Sequence, residues 1–138
     1  MPHLTAAFVI DRTAPRALDL SVEGGVDYGG MTLWKTFSGA IDGSSVVEML
    51  YTTTPRADGT FAGRGYVALE RITGTLLGRS GSFALLHIST VDGTDPPVSK
   101  YVISPGSGSG DLVGMSGVGL ITIDDDGAHE LHLDYELG

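Results

Sequence analysis

The chain has 138 residues, of which 41% are hydrophobic, 18% are charged and 21 are glycine, as expected for a globular domain rather than a disordered or fibrous one. Seventeen acidic and eight basic side chains give a net charge of −9, which argues against nucleic acid or an anionic membrane as a partner. The absence of cysteine excludes disulfides and thiolate metal sites.

The expected elements are strands, in chain order. A first strand lies around TAAFVI. The next stretch, residues 11–30, is ambiguous, because APRAL fits a turn of helix and EGGVDYGG fits a loop. Seven more runs rich in β-branched and aromatic residues follow, from LWKTFSGAI to HELHLDYEL, with turn signals such as DGSS, GRSG and DDDG between them. About eight strands predict an all-β fold, a sandwich or a closed barrel, over a single domain of residues 1–138.

The N-terminal stretch has no basic region followed by a long apolar run, and no later run is long enough to span a bilayer. We therefore expect a cytoplasmic protein with no membrane and no nucleic-acid partner.

Three segments repeat the pattern Gly-x-[Ile/Leu]-x-Gly-x-Ser, at residues 39–45, 74–80 and 110–116. A glycine, an apolar residue and a second glycine at alternate positions indicate a strand that bends tightly or approaches another backbone closely. We expect all three segments at equivalent bends between a strand and a turn. A phosphate-binding loop would instead be unique and would open a helix after a lysine, and the stretch SPGSGSGDLVGMSGVG does neither.

Four stretches carry a family resemblance: KTFSG, LERITGTLLGRSGSFALLH, SPGSGSGDLVGMSG and HLDYEL. Through them the chain resembles a family of small bacterial proteins of unknown function with an allene oxide cyclase-like barrel. Dirigent proteins and spirotetronate cyclases are more distant relatives. The resemblance runs from about residue 31 to the C-terminus. It implies an eight-stranded antiparallel β-barrel, often oligomeric, with a pocket in its mouth, and it carries over no catalytic residue.

Turn signals set the expected register of two hairpins. The turn at GRSG is expected to pair Leu76 with Phe83. Ile72 then lies opposite His87, and Glu70 shares their face.

The turn at DGSS is expected to close a hairpin within residues 41–46. Gly39 then faces Glu48, and Lys35 faces Thr52.

The catalytic candidates are polar residues embedded in apolar strands: Glu48, Glu70 and His87. A carboxylate beside an imidazole in a desolvated pocket can act as general acid and base. Side chains on the predicted inner faces are expected to contact a bound ligand: Tyr66, Phe83, Leu85, Tyr101 and Tyr135. The tyrosine hydroxyls would donate hydrogen bonds to a ligand oxygen. The alternative is that each glutamate points to solvent and pairs with a neighbouring cation: Lys35, Arg71 or Arg79.

No metal site is expected, because His129 and His132 lie three apart in a strand and so face opposite sides. In the same strand His132 and Asp134 are expected to face solvent, and Tyr135 to face inward. No cofactor is expected either. Two functions stay open: a cofactor-independent cyclase or isomerase that holds a small hydrophobic molecule in the barrel, and a non-catalytic binder of such a molecule. Because SVVEMLY and FALLHI are apolar on both faces, we also expect a homo-oligomer, a dimer or a trimer.

Overall fold

The computed structural model describes residues 2–92 and 98–138. It contains eight strands: β1 (His3–Arg16), β2 (Asp27–Gly39), β3 (Ile41–Pro55), β4 (Phe61–Leu76), β5 (Arg79–Val91), β6 (Val98–Ile103), β7 (Ser116–Ile123) and β8 (His129–Glu136). Each strand pairs antiparallel with the next, and β8 pairs with β1, so the sheet closes into a barrel. The predicted eight-stranded antiparallel barrel is confirmed. The stretch APRAL forms no helix, because β1 continues through a bulge after Ile10 as far as Arg16.

The β4–β5 hairpin has a tighter turn than expected. Leu77 and Gly78 both have positive φ, 48° and 85°, as a two-residue hairpin turn requires. Leu76 therefore pairs with Arg79, and the predicted pairing with Phe83 is wrong by four residues. A shift of the strand register by an even number of residues keeps every side chain on the same face of the sheet. Glu70 and His87 consequently still share the inner face of the barrel.

The β2–β3 hairpin turns at Gly39, whose φ is 88°, so DGSS lies inside β3 rather than in a turn. Lys35 faces Ser45 and not Thr52, and the predicted register is wrong by seven residues. Because seven is odd, this error exchanges the two faces of β3. Glu48, expected on the inner face, therefore lies on the outer one.

The repeated glycine segments are only partly equivalent. Gly43 and Gly74 pair across β3 and β4, where a Cβ on Gly43 would lie 2.8 Å from the Gly74 Cα and would also collide with the Thr73 carbonyl oxygen. These two segments show the close backbone approach that was predicted. The third does not sit at a strand bend, because Gly110–Leu112 is a short 3₁₀ turn, and for this segment the prediction is wrong.

The two ends of the barrel differ. At the closed end, which carries the β2–β3 and β4–β5 turns, residues 104–115 lie along the first residues of β5 and insert Leu112 and Met115, each 1% exposed, into the core. Pro2 and Gly138 both lie at this end, since the Tyr135 amide donates to the Pro2 carbonyl and Gly138 abuts Gly114. The opposite end, called the mouth below, carries the β1–β2 and β3–β4 connections.

Within the described part of the chain, no helix has the length and hydropathy needed to cross a bilayer.

Candidate functional site

Of the residues that the structure describes, four polar side chains are buried inside the barrel: Lys35, Ser45, Glu70 and His87. We call them the interior polar cluster. They project from inner positions of β2, β3, β4 and β5, which are consecutive strands of the wall. Glu70 is fully buried, at 0% exposure. A buried charge of this kind is strongly destabilising unless it is paired and hydrogen-bonded.

Glu70 is the centre of the cluster. Ser45 Oγ donates a hydrogen bond to Glu70 Oε2 at 2.5 Å, and Lys35 Nζ donates to Oε1 at 3.3 Å. His87 Nε2 lies 2.9 Å from Oε1, within ion-pair distance when the imidazole is protonated. This contact lacks the alignment of a hydrogen bond, and Nε2 has no hydrogen-bond partner among the described residues.

The pKa values of Lys35 and Glu70 are both lowered, for different reasons. Desolvation lowers the pKa of Lys35, although the neighbouring Glu70 carboxylate opposes that shift. Desolvation alone would raise the pKa of Glu70. The contacts with His87, the charge of Lys35 and the hydroxyl of Ser45 outweigh it, and the pKa of Glu70 falls below its ordinary value. Glu70 is therefore a carboxylate at neutral pH.

Two tyrosines extend the cluster towards the mouth. The Tyr101 ring meets the His87 ring edge-on, with 4.9 Å between centroids. The hydroxyl oxygens of Tyr66 and Tyr101 lie 3.4 Å apart. Burial, together with the hydrogen bond to Tyr101, raises the pKa of Tyr66. Tyr66 is thus a neutral hydroxyl group, available as a hydrogen-bond donor.

A pocket of about 380 Å³ opens at the mouth. Residues of β2, β3, β4 and β5 line it: Met31, Met49, Tyr51, Thr52, Thr53, Arg64, Gly65, Tyr66, Ser89 and Val91. Its volume is in the range of small-molecule sites. Tyr66 belongs both to this lining and to the ring contacts around His87, which lies one inward-facing position below Ser89 on β5. The interior polar cluster therefore lies beneath the pocket floor.

The structure brings together four of the predicted site residues: Glu70, His87, Tyr66 and Tyr101. Three others face inward but pack in the hydrophobic core instead of lining the mouth pocket: Phe83, Leu85 and Tyr135. The grouping of Glu70 with His87 followed from the apolar residues that flank both along their strands.

Glu48 does not join them, and its predicted place inside the barrel is wrong. It lies on the outer surface with 41% of its side chain exposed, pairs with Arg16 and accepts a hydrogen bond from Thr32 Oγ1 at 3.1 Å. The cause is the position of the β2–β3 turn at Gly39, which shifts the register of β3 by an odd number of residues and so exchanges its inner and outer faces relative to the prediction.

Two members of the cluster were not among the predicted site residues. From the sequence, Lys35 is expected only as a surface partner for a glutamate. The alternation of Leu33, Lys35 and Phe37 marks it as inward-facing, since both flanking residues are apolar. Ser45 carries no comparable signal, because small polar residues are common on either face of a strand.

The side chains of the last strand, β8, point to the faces that were predicted. His129 packs on the Phe8 ring inside, with 5.2 Å between centroids, whereas His132 binds the Thr5 hydroxyl outside at 3.1 Å. Asp134 is outside as well, paired with His3. Among residues 2–92 and 98–138, no group of three or more histidines and carboxylates is arranged to hold a metal ion.

Comparison with known proteins adds the family but no activity. No curated protein matches this chain. A solved structure of a protein of unknown function from Shewanella oneidensis MR-1, assigned to the DUF3224 family, is 32% identical, covers 100% of this chain and 98% of its own, and superposes with a TM-score of 0.87. The model of the same family, described as a protein of unknown function, matches residues 4–135. The chain therefore belongs to the DUF3224 family.

Proposed function

We propose that the protein holds a small, uncharged hydrophobic molecule in the mouth pocket and acts on it by acid–base chemistry, as a cofactor-independent cyclase or isomerase. The observation that carries this proposal is the buried trio of Lys35, Glu70 and His87 beneath the pocket, with Tyr66 bordering both. Replacing a buried ion pair with apolar side chains of similar volume is often neutral or stabilising. Packing alone therefore gives no reason for such a group, whereas function does.

The lining of the pocket supports an apolar ligand. Met31, Met49 and Val91 present flexible or branched apolar surface, and Tyr51 adds an aromatic face. Methionine side chains adapt to ligands of irregular shape. Around such a surface a few hydroxyl groups suffice to orient the ligand.

The chemistry would divide between donor and base. Tyr66 would donate a hydrogen bond to a ligand oxygen on which negative charge develops. An imidazole can take a proton from a ligand carbon and return it at another, and the Glu70 carboxylate would stabilise the imidazolium form of His87 in between. Such an isomerisation balances without an oxidant, a reductant or a second substrate.

A non-catalytic binder is the second candidate, and the complete burial of Glu70 favours it. Neither Glu70 nor His87 is part of the pocket lining, so in the absence of motion a ligand touches only Tyr66 of this group. In that case the cluster would serve to fix the position of the two tyrosines.

Binding is tested with the uncharged fluorescent probe N-phenyl-1-naphthylamine. We expect wild-type protein to bind it and Met49→Trp, which fills the pocket, to lose at least tenfold in affinity. The matched control is Leu50→Trp, at the next position of β3 and on its outer face, which should bind as the wild type does. Equal binding by the two variants would contradict a ligand in the mouth.

Catalysis is tested by deuterium exchange from heavy water into β-ionone, a neutral enolisable ketone. The cyclase or isomerase predicts that His87→Ala and Glu70→Gln slow the exchange by about 10²-fold or more while probe binding and far-UV circular dichroism are unchanged. Exchange at the rate of the protein-free solution, with probe binding intact, would favour the binder.

A further inference from the structure

One glycine beside the mouth pocket is not explained by its own backbone. Gly29 lies on the inner face of β2, two positions before Met31 of the pocket lining. Its φ is not positive, so its backbone conformation is open to any residue. A glycine within a strand weakens that strand, because it has no side chain to pack and loses much conformational freedom on folding. Its neighbours must therefore account for it.

The neighbour that accounts for Gly29 is Tyr51. Tyr51 is the cross-strand partner of Gly29 on β3, and it lines the mouth pocket. The phenol end of its ring lies across Gly29, where a Cβ would be 2.5 Å from Tyr51 Oη and 2.7 Å from Cε1. Cβ atoms in proteins do not approach other heavy atoms so closely. The Tyr51 ring thus occupies the space that a side chain at position 29 would take.

This close approach differs from the one at Gly43. A Cβ on Gly43 would collide with the backbone of Thr73 and Gly74, whereas the atoms nearest to a Cβ on Gly29 all belong to the far end of the Tyr51 side chain. A tyrosine side chain can turn about its own bonds, and a paired backbone cannot. A larger residue at position 29 would therefore move the Tyr51 ring and leave the strands in place.

The displaced ring would enter the mouth pocket. On β4, Tyr66 is the partner of Tyr51, and both line the pocket. Neighbouring strands lie about 4.8 Å apart, so a ring that leans across β2 leaves about one strand spacing free beside Tyr66. A ring pushed off Gly29 would swing towards β4 and cover the Tyr66 hydroxyl, the donor in the proposed chemistry.

We propose that Gly29 is a specificity-determining residue of the mouth pocket, and that the pocket takes a ring-bearing hydrophobic molecule in preference to a linear chain. This inference rests on the proposed function. Glycine at position 29 keeps the Tyr51 ring over β2, so the space beside Tyr66 admits a ligand of ring width. A linear chain would leave part of that space empty and lose contacts there.

The test compares a ring-bearing and a linear uncharged probe, N-phenyl-1-naphthylamine by fluorescence and 1-octanol by titration calorimetry. In Gly29→Ala the affinity for N-phenyl-1-naphthylamine should fall by about tenfold or more relative to that for 1-octanol. The matched control is Gly63→Ala on β4, where the nearest atom to a Cβ lies at 3.6 Å, and it should leave the ratio of the two affinities unchanged.

A double-variant cycle shows whether Gly29 acts through the Tyr51 ring. In a Tyr51→Ser background, Gly29→Ala should leave the ratio of affinities unchanged, because no ring remains to be displaced. Proton NMR follows the ring without a ligand. The α protons of Gly29 should be shifted upfield in the wild type by the ring current of Tyr51, and Tyr51→Ser should abolish that shift. In Gly29→Ala, the Tyr51 ring should instead show contacts with Tyr66.

Four results would overturn the inference while leaving the proposed function standing. These are an unchanged ratio of affinities in folded Gly29→Ala, the same loss in the Tyr51→Ser background, a wild type without the upfield shift, and a Gly29→Ala that unfolds although the double variant folds. The last result would mean that the Tyr51 ring cannot move aside. A wild type that binds neither probe would instead contradict the proposed function, and this inference with it.

Discussion

At the scale of single residues, the interior polar cluster is organised around one carboxylate, that of Glu70. Glu70 is charged because Lys35, Ser45 and His87 surround it, and removing its charge leaves Lys35 buried without a counter-ion. Breaking a buried pair in this way is destabilising by about 3–5 kcal/mol. The same three contacts make that loss dependent on pH.

The pH dependence has a definite sign. The folded-state pKa of Glu70 is depressed below the ordinary value of 4.5, so its stabilising contribution is fully present above pH 4.5 and is lost as the pH falls through the folded-state pKa. Glu70→Gln should therefore lower the free energy of unfolding most near neutral pH and progressively less below pH 4.5. Urea unfolding between acidic and neutral pH measures it. The control Glu136→Gln, exposed on the outer face, should stay within about 0.5 kcal/mol of wild type throughout.

Residue-level prediction succeeded where a polar side chain interrupts an apolar face. Glu70 and His87 were recognised because apolar residues share their faces, Ile72 next to Glu70 and Leu85 next to His87. Glu48 has similar neighbours along the chain, yet it lies outside. Its place depended on which residue begins the β2–β3 turn, and local composition does not show that.

At the scale of elements, turns and glycine contacts fix the wall. The β4–β5 error of four residues preserved the inner face, whereas the β2–β3 error of seven exchanged it. An even error is harmless to an assignment of faces and an odd one reverses it. Errors in the predicted strand register therefore limited the prediction of the site more than errors in recognising the strands did.

Gly43 gives a direct test at this scale. Gly43→Ala should be destabilising by about 1–3 kcal/mol or more, because its Cβ would be forced against the backbone of Thr73 and Gly74, which cannot move without breaking the sheet. Thermal and urea unfolding measure the change. Gly63→Ala is the matched control on β4, since the nearest atom to its Cβ, the Val91 carbonyl oxygen, lies at 3.6 Å. A loss of equal size in both variants would show that the cost is not one of close approach.

At the scale of the whole molecule, the barrel is closed at one end and open at the other. The closed barrel itself was predictable, because eight short strands with turns between them and no helical period leave few alternatives. The filling of one end of the barrel by residues 104–115 was not predictable. The segment 104–115 has the same glycine pattern as two strand bends, yet it forms a 3₁₀ turn beside β5, where Leu112 and Met115 are buried in the core.

The closing segment supplies a prediction for the whole fold. Leu112→Ala should be destabilising by about 2–5 kcal/mol, since the side chain is 1% exposed and leaves a cavity. Val113→Ala, 65% exposed in the same segment, should change the free energy of unfolding by less than about 0.5 kcal/mol. Binding of N-phenyl-1-naphthylamine should survive in both, because the pocket lies at the other end. Loss of the probe from folded Leu112→Ala would contradict that separation of the two ends.

The position of Pro2 and Gly138 at the closed end has a practical consequence for assays. A surface tether, affinity tag or fluorescent fusion partner attached at either terminus emerges on the side opposite the mouth pocket. Immobilised protein would therefore present its opening to the flowing solution, whichever terminus carries the attachment. Compound libraries can be screened on such a surface, and N- and C-terminally tethered samples should give the same dissociation constants.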